Sequence, residues 1–279
     1  MSFAQAPILP LIIGILNVTP DSFSDGGQYL KPDAAIEKAF SLAEEGADII
    51  DIGAESTGKN SLPITLEEEW SRLEPVLKVI ASKLTLSVDT YKAEIAARSL
   101  ELGVKIINDV SAMRADSDMA KVISNGKSKV ILMYSKETGQ TPHVTEMPNN
   151  ERNIEYRNII SEVSEFLLER VKYALDSGIA RENIILDPGL GLFLSKDPSY
   201  SWEVLSRIKE FLQLQLPLMV GASRKSFLKA AEETRASDRD PLSALIGVHL
   251  AQSGVDFIRT HNVKLTKDFL KTWNKINFN

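Results

Sequence analysis

The sequence predicts an α/β protein of the (β/α)8 TIM-barrel class, a single domain over residues 1–279, and three observations carry that expectation. Short β-rich apolar runs recur eight times, helical patterns separate them, and no convincing linker interrupts the series. The runs are LIIGIL (11–16), DIIDIG (48–53), LTLSVD (84–89), VKIIND (104–109), KVILMY (129–134), NIILDP (183–188), PLMVG (217–221) and DFIRTH (256–261). They are nearly continuous in apolar residues, as parallel strands covered on both faces should be. DAAIEKAFSLAEEGAD (33–48) shows the intervening pattern, with Pro32 before it, good helix formers inside and Gly46 where a C-terminal cap belongs. The longest connection, 135–182, holds a polar loop and then a long amphipathic helix, and does not mark a domain boundary.

Composition narrows the function classes. The chain of 279 residues is 43% apolar and 25% charged, with a net charge of -6 that gives no general attraction to nucleic acid or anionic membranes. The absence of cysteine excludes disulfides, thiolate metal sites and a cysteine nucleophile. ILPLIIGIL (8–16) lacks a basic flank and is far short of the ~20 apolar residues of a membrane span, so a cytoplasmic protein is expected.

The residue closing each run carries the functional signal. Strand ends supply Asn17, Glu55 shortly after the second run, Asp89, Asn108 with Asp109, Tyr134, Asp187, Ser223 to Lys225, and Arg259 with His261. In a barrel these converge on the C-terminal rim, where active sites are built. Strands also end in polar residues merely because they reach the surface. That accounts for some of the eight, but not for acids, amides and bases supplied to one side. Arg259 and His261, two residues apart, point the same way. After Asn17 comes VTPDSFSDGG, a polar, glycine-tipped first loop with one aromatic, Phe23. Polar loops are mostly surface connections, but that reading leaves Phe23 unexplained.

ILNVTPDSFSDGG (15–27), GAEST (53–57), SVDT (87–90), IIND (106–109), ILDPG (185–189), ASRKS (222–226) and IRTH (258–261), in that order, resemble the dihydropteroate synthase family along essentially the whole chain. The resemblance implies an enzyme joining 6-hydroxymethyl-7,8-dihydropterin diphosphate to p-aminobenzoate, releasing pyrophosphate and giving dihydropteroate for folate synthesis. It implies pterin contacts from Asp89, Asn108, Asp187 and Lys225, and substrate contacts from Phe23, Thr57, Met133, Gly221, Ser223, Arg259 and His261. It further implies Mg²⁺ held with the diphosphate by Asn17, catalytic roles for Asn17, Asp89, Asp187, Lys225, Arg259 and His261, and a homodimer through late helices such as 241–254. Carboxylates and an amide suit a heterocycle edged with donors and acceptors, and cations suit a departing diphosphate.

Several positions depart from the family pattern. Gly58 and Lys59 stand where Arg and Pro are usual; Leu190 and Leu192 occupy aromatic slots with Phe193 one place later; Tyr134 replaces a frequent His and Asn262 a frequent Asp. GLGLFLSK, WEVLSRI and SRKSFL are closest to the sulfonamide-insensitive branch, but NDVSAMRADSDMAKV lacks its aromatic loop insertion, which implies a drug-sensitive relative. Three rivals remain: a non-catalytic pterin-binding paralogue, a pterin-dependent corrinoid methyltransferase and a Schiff-base aldolase using Lys225.

Overall fold

Apolar side chains at successive positions of a strand face two cores, and the eight runs do so. The computed structural model describes residues 9–19, 32–55, 63–136, 154–229 and 235–278. Its strands are β1 (Leu11–Asn17), β2 (Ile49–Gly53), β3 (Leu86–Asp89), β4 (Ile106–Asp109), β5 (Lys129–Met133), β6 (Ile184–Asp187), β7 (Met219–Val220) and β8 (Phe257–Thr260). They alternate with α1 (Pro32–Glu45), α2 (Leu66–Ile80), α3 (Ala93–Glu101), α4 (Met119–Gly126), α5 (Ile159–Asp176), α6 (Pro198–Ser206), α7 (Asp240–Ser253) and α8 (Val263–Phe278).

All neighbouring strands pair in parallel, in the order β6-β5-β4-β3-β2-β1-β8-β7. A single parallel bridge, Leu186 to Leu218, brings the two ends together, with Leu186 N donating to Pro217 O at 2.9 Å. The eight strands and the barrel class expected from the sequence are therefore found. The seventh strand is shorter than its run of 217–221, because Pro217 has no N–H for a ladder.

Outward residues such as Ile12, Leu16, Ile50, Ile52 and Val88 join the helices in one large core. Inward residues Ile13, Ile49, Ile106, Ile131, Ile185 and Met219 form a second, separate cluster inside the barrel. Continuity of apolar residues thus reflects burial on both faces, and the two faces fill different cores. Above that inner cluster the inward positions turn polar: Asp51, Ser87, Asp89, Asn108 and Asp187. The barrel is plugged at the bottom and chemically equipped at the top.

Local signals explain the helix bounds. α1 starts at Pro32, whose missing N–H costs nothing in a first turn, and stops before Gly46 at φ +105°. Gly14 lets β1 approach the neighbouring layer: a Cβ there would lie 3.0 Å from Val263 Cγ2 and 3.2 Å from Ala47 Cβ. α5 is the long helix expected after the fifth strand, and Asn158 caps it by accepting from Ser161 N at 3.2 Å. No helix among the described residues is long and apolar enough to cross a membrane.

Candidate active site

Each strand delivers its last inward side chain to one end of the barrel, and a cleft of about 590 Å³ opens there. Asn17 from β1, Asp89 from β3, Ser223 and Lys225 after β7, and Arg259 and His261 from β8 all line it. Asn108, Met133 and Asp187 are buried, and strand register sets them beside these groups: Asp89 pairs with Asn108, and Met133 with Asp187. Gly221 sits against Arg259, where an added Cβ would lie 3.6 Å from the arginine Cβ. Phe23 and Thr57 lie outside the described residues, as do Asp21, Asp25, Gly58 and Lys59.

The floor is acidic and held by one arginine. Arg259 donates Nε to Asp51 Oδ2 at 2.6 Å and Nη2 to Asp89 Oδ2 at 2.8 Å. Burial pushes Asp89 up to about 7, the Arg259 charge opposing and Asp51 adding to the shift. Asp187 is likewise raised by burial, against the pull of Lys225 and of the Gly189 N–H that it accepts at 2.8 Å. Proline and glycine after Asp187 therefore serve the site as a turn whose backbone steadies the carboxylate.

The opposite wall is basic. Lys225 donates Nζ to Leu190 O at 2.9 Å and lies 4.6 Å from the centre of the Phe193 ring. Burial lowers its ammonium to about 8, although Asp187 pulls the other way. His261 is held down to about 3 by burial and by Arg224 and Arg259 nearby, so it is a neutral imidazole in the ligand-free protein. Its Nδ1 lies 2.9 Å from Ser223 Oγ, which also accepts the His261 backbone N–H at 3.1 Å. The strand-end pattern groups His261 with Arg259 as an anion-stabilising cation; in this environment the ring offers hydrogen bonds, and only an arriving anion would favour its charging.

Backbone conformation aims Lys225 inward. Arg224 takes φ +58°, uncommon for a residue with a side chain. A two-point pair holds it there, Nε to Asp240 Oδ1 at 2.7 Å and Nη2 to Oδ2 at 2.8 Å, while Arg239 Nη1 donates to its carbonyl at 2.6 Å. Arg239 also lines the cleft. Neither Arg239 nor Asp51 stood out as a site residue in the sequence. A signal for Asp51 was present: a charged residue two positions below the rim, facing the same way as Ile49 in an otherwise apolar strand. Arg239 carried none, since its place depends on how the chain returns to α7.

The departures from the family pattern resolve differently. Leu192 and Phe193 line the cleft, and Leu190 lies buried beside it, so an aromatic face is retained one position along. Tyr134 joins the outer core, 5.0 Å from the Phe166 ring and with its hydroxyl 3.4 Å from that of Tyr156; a change there alters packing outside the barrel. Asn262 caps α8 through Leu265 N at 3.0 Å and donates Nδ2 to Asp240 Oδ2 at 3.1 Å. Glu55 also lines the cleft; it pairs with Lys92, which is bound as well to Glu69 at 2.6 Å.

Acceptors at the base and donors at the wall suit a flat heterocycle bearing an anionic group. The family described as "Pterin binding enzyme" matches residues 13–261. Dihydropteroate synthase type-3 of Escherichia coli is 37% identical over 263 residues, 93% of this chain and 97% of that one. Two solved structures superpose on nearly the whole fold. The dihydropteroate synthase of Clostridium difficile, determined in the presence of pteroic acid, gives a TM-score of 0.87 at 33% identity, covering 99% of this chain and 100% of the other. That of Anaplasma phagocytophilum, with bound 6-hydroxymethylpterin-monophosphate, gives 0.83 at 37% identity, covering 96% and 100%. With one cleft that joins carboxylate acceptors to basic donors, and with relatives matched from end to end, the chain belongs to the dihydropteroate synthase family of pterin-binding enzymes.

Proposed function

We propose that the chain condenses 6-hydroxymethyl-7,8-dihydropterin diphosphate with p-aminobenzoate by ionisation before attack. The observation that carries this reading is the placement of Asp89 and the Lys225, Arg259 and His261 groups around one cleft, with Asp187 buried among them. The carboxylates of Asp89 and Asp187 accept N–H groups of the ring and hold it edge-on. Lys225 donates to the acceptor side of the ring, and Arg259 and the His261 ring face the diphosphate. As the methylene C–O bond breaks, its electron pair leaves with pyrophosphate, and the donors stabilise the growing negative charge. The resulting cationic pterin-methyl group lies against the acidic floor. The aniline nitrogen then forms the C–N bond and releases one proton to solvent, so no strong base is required.

Asn17 ends β1 on the cleft wall and offers a hard amide oxygen, which fits Mg²⁺; among the described residues no group of three or more acids or histidines could hold a metal alone. That suits an ion retaining water and phosphate oxygens. Bound there, Mg²⁺ would neutralise diphosphate charge. Phe23 and Thr57 are proposed to complete the aminobenzoate pocket with Ser223.

A homodimer through the late helices is also proposed. Leu242 and Leu245 on α7 are 43% and 57% exposed, and Trp202 on α6 is 48% exposed. A groove of about 440 Å³ lined by Trp202, Leu245, Val248 and His249 runs between these helices.

Pyrophosphate release tests the catalytic reading. Purified protein given the pterin diphosphate, Mg²⁺ and p-aminobenzoate should release one pyrophosphate per dihydropteroate, and Asp89→Ala should lower the rate by two orders of magnitude or more. Pterin binding without turnover would instead identify a binding module.

A further inference from the structure

Asp51 lies wholly inside the barrel, one inward position below Gly53 and the cleft. Its Oδ2 receives two donors: Asn108 Nδ2 at 3.1 Å and Arg259 Nε at 2.6 Å. An ionised carboxylate only accepts hydrogen bonds, so the Asn108 amide must turn its nitrogen toward Asp51. Its Oδ1 is then left buried and without a partner among the described residues. A buried carbonyl of that kind needs a donor. The same contact commits Arg259 Nε, so the guanidinium plane is set and its outer nitrogens face Asp89 and the cleft.

We infer that Asp51 is a positioning residue that dictates which edge of the heterocycle the site accepts. By making Asn108 an acceptor it leaves the floor with three acceptor groups, Asn108 Oδ1 and the Asp89 and Asp187 carboxylates. Such a floor selects a ring edge rich in N–H donors and rejects one that presents lone pairs. By holding Arg259 it also keeps the anion-receiving group registered to that edge. The inference rests on the proposed function, whose ligand is the pterin.

Two isosteric changes separate this role from simple core stability. Asp51→Asn allows the Asn108 amide to turn either way and removes the charge facing Arg259. Asn108→Asp, with Asp51 kept, presents an oxygen to the ring whichever way it turns, and leaves the contact of Asp51 with Arg259 Nε in place. The two facing carboxyl groups then share one proton. Binding of 6-hydroxymethylpterin is measured by calorimetry beside the thermal midpoint. Asp51→Asn should bind at least tenfold more weakly, and Asn108→Asp should bind more tightly than Asp51→Asn. Unchanged pterin affinity in Asp51→Asn, or an Asn108→Asp variant that binds no better than Asp51→Asn, overturns the inference. Should Asp51→Asn fail to fold, the unaltered chain still decides. With ¹⁵N-labelled asparagine, the Asn108 amide protons should exchange slowly both before and after pterin addition; a hydrogen bond from that amide nitrogen to the ligand in place of Asp51 refutes the assignment. An unaltered chain that binds no pterin would sink the proposed function itself, and the inference with it.

Discussion

Lys225 titrates near 8 because burial strips water from an ammonium that Asp187 only partly compensates, and Asp89 titrates near 7 because burial outweighs Arg259. Gripping the pterin needs Asp89 ionised, which holds above about 7, and Lys225 protonated, which holds below about 8. The kcat/KM profile is expected to rise through the first value and fall through the second, a narrow bell reporting the free enzyme. A profile flat from pH 6 to 9 would refute these two assignments. Stability runs the other way. Native Asp89 holds its proton above the usual 3.8, so its contribution falls as pH rises from 3.8 to about 7. Lys225 loses its proton below the usual 10.5, so stability recovers only between about 8 and 10.5. The pH at which both groups are charged is the pH at which burying them costs most. Asp89 was legible in the sequence because it ends a strand, and Lys225 because it follows the seventh apolar run within ASRKS. Asp51 shows in the sequence only as a charge inside an apolar run, and its role is hidden there because it comes from two partners 57 and 208 residues away.

Elements differ in how directly local chemistry specifies them. α1 was readable from Pro32 and Gly46, since both act on their own backbone. The apolar run 217–221 overstates β7, because apolar composition does not register that proline cannot donate to a neighbour. The start of α8 joins both levels: Asn262 caps the helix locally and binds Asp240 on α7 across the fold. Asn262→Ala should therefore cost about 1–2 kcal/mol in urea unfolding, the combined loss of a cap and a partly buried hydrogen bond. A change below a few tenths of a kcal/mol would show that neither contact contributes. His261 precedes Asn262 directly, so the same variant should raise KM for the pterin diphosphate more than it lowers kcat.

At the scale of the molecule, the barrel places groups from Asn17 to His261 around one mouth while α6 and α7 present apolar side chains outward. Sedimentation of the purified chain is expected to give a dimer, and Leu245→Glu, which puts a charge on that surface, should give a monomer that keeps its fold. A dimer unaffected by the change would move the interface elsewhere. The sequence by itself determined the barrel class, the side of the barrel carrying the chemistry and most of the residues gathered there, because strand periodicity and strand ends are local properties of the chain. Only the tertiary structure decided that Tyr134 faces away from the cleft, that His261 is neutral, that Arg239 reaches the mouth and that Asp51 orders the floor. Those outcomes depend on burial and on charges contributed by distant strands, and a linear pattern does not contain the distances that set them.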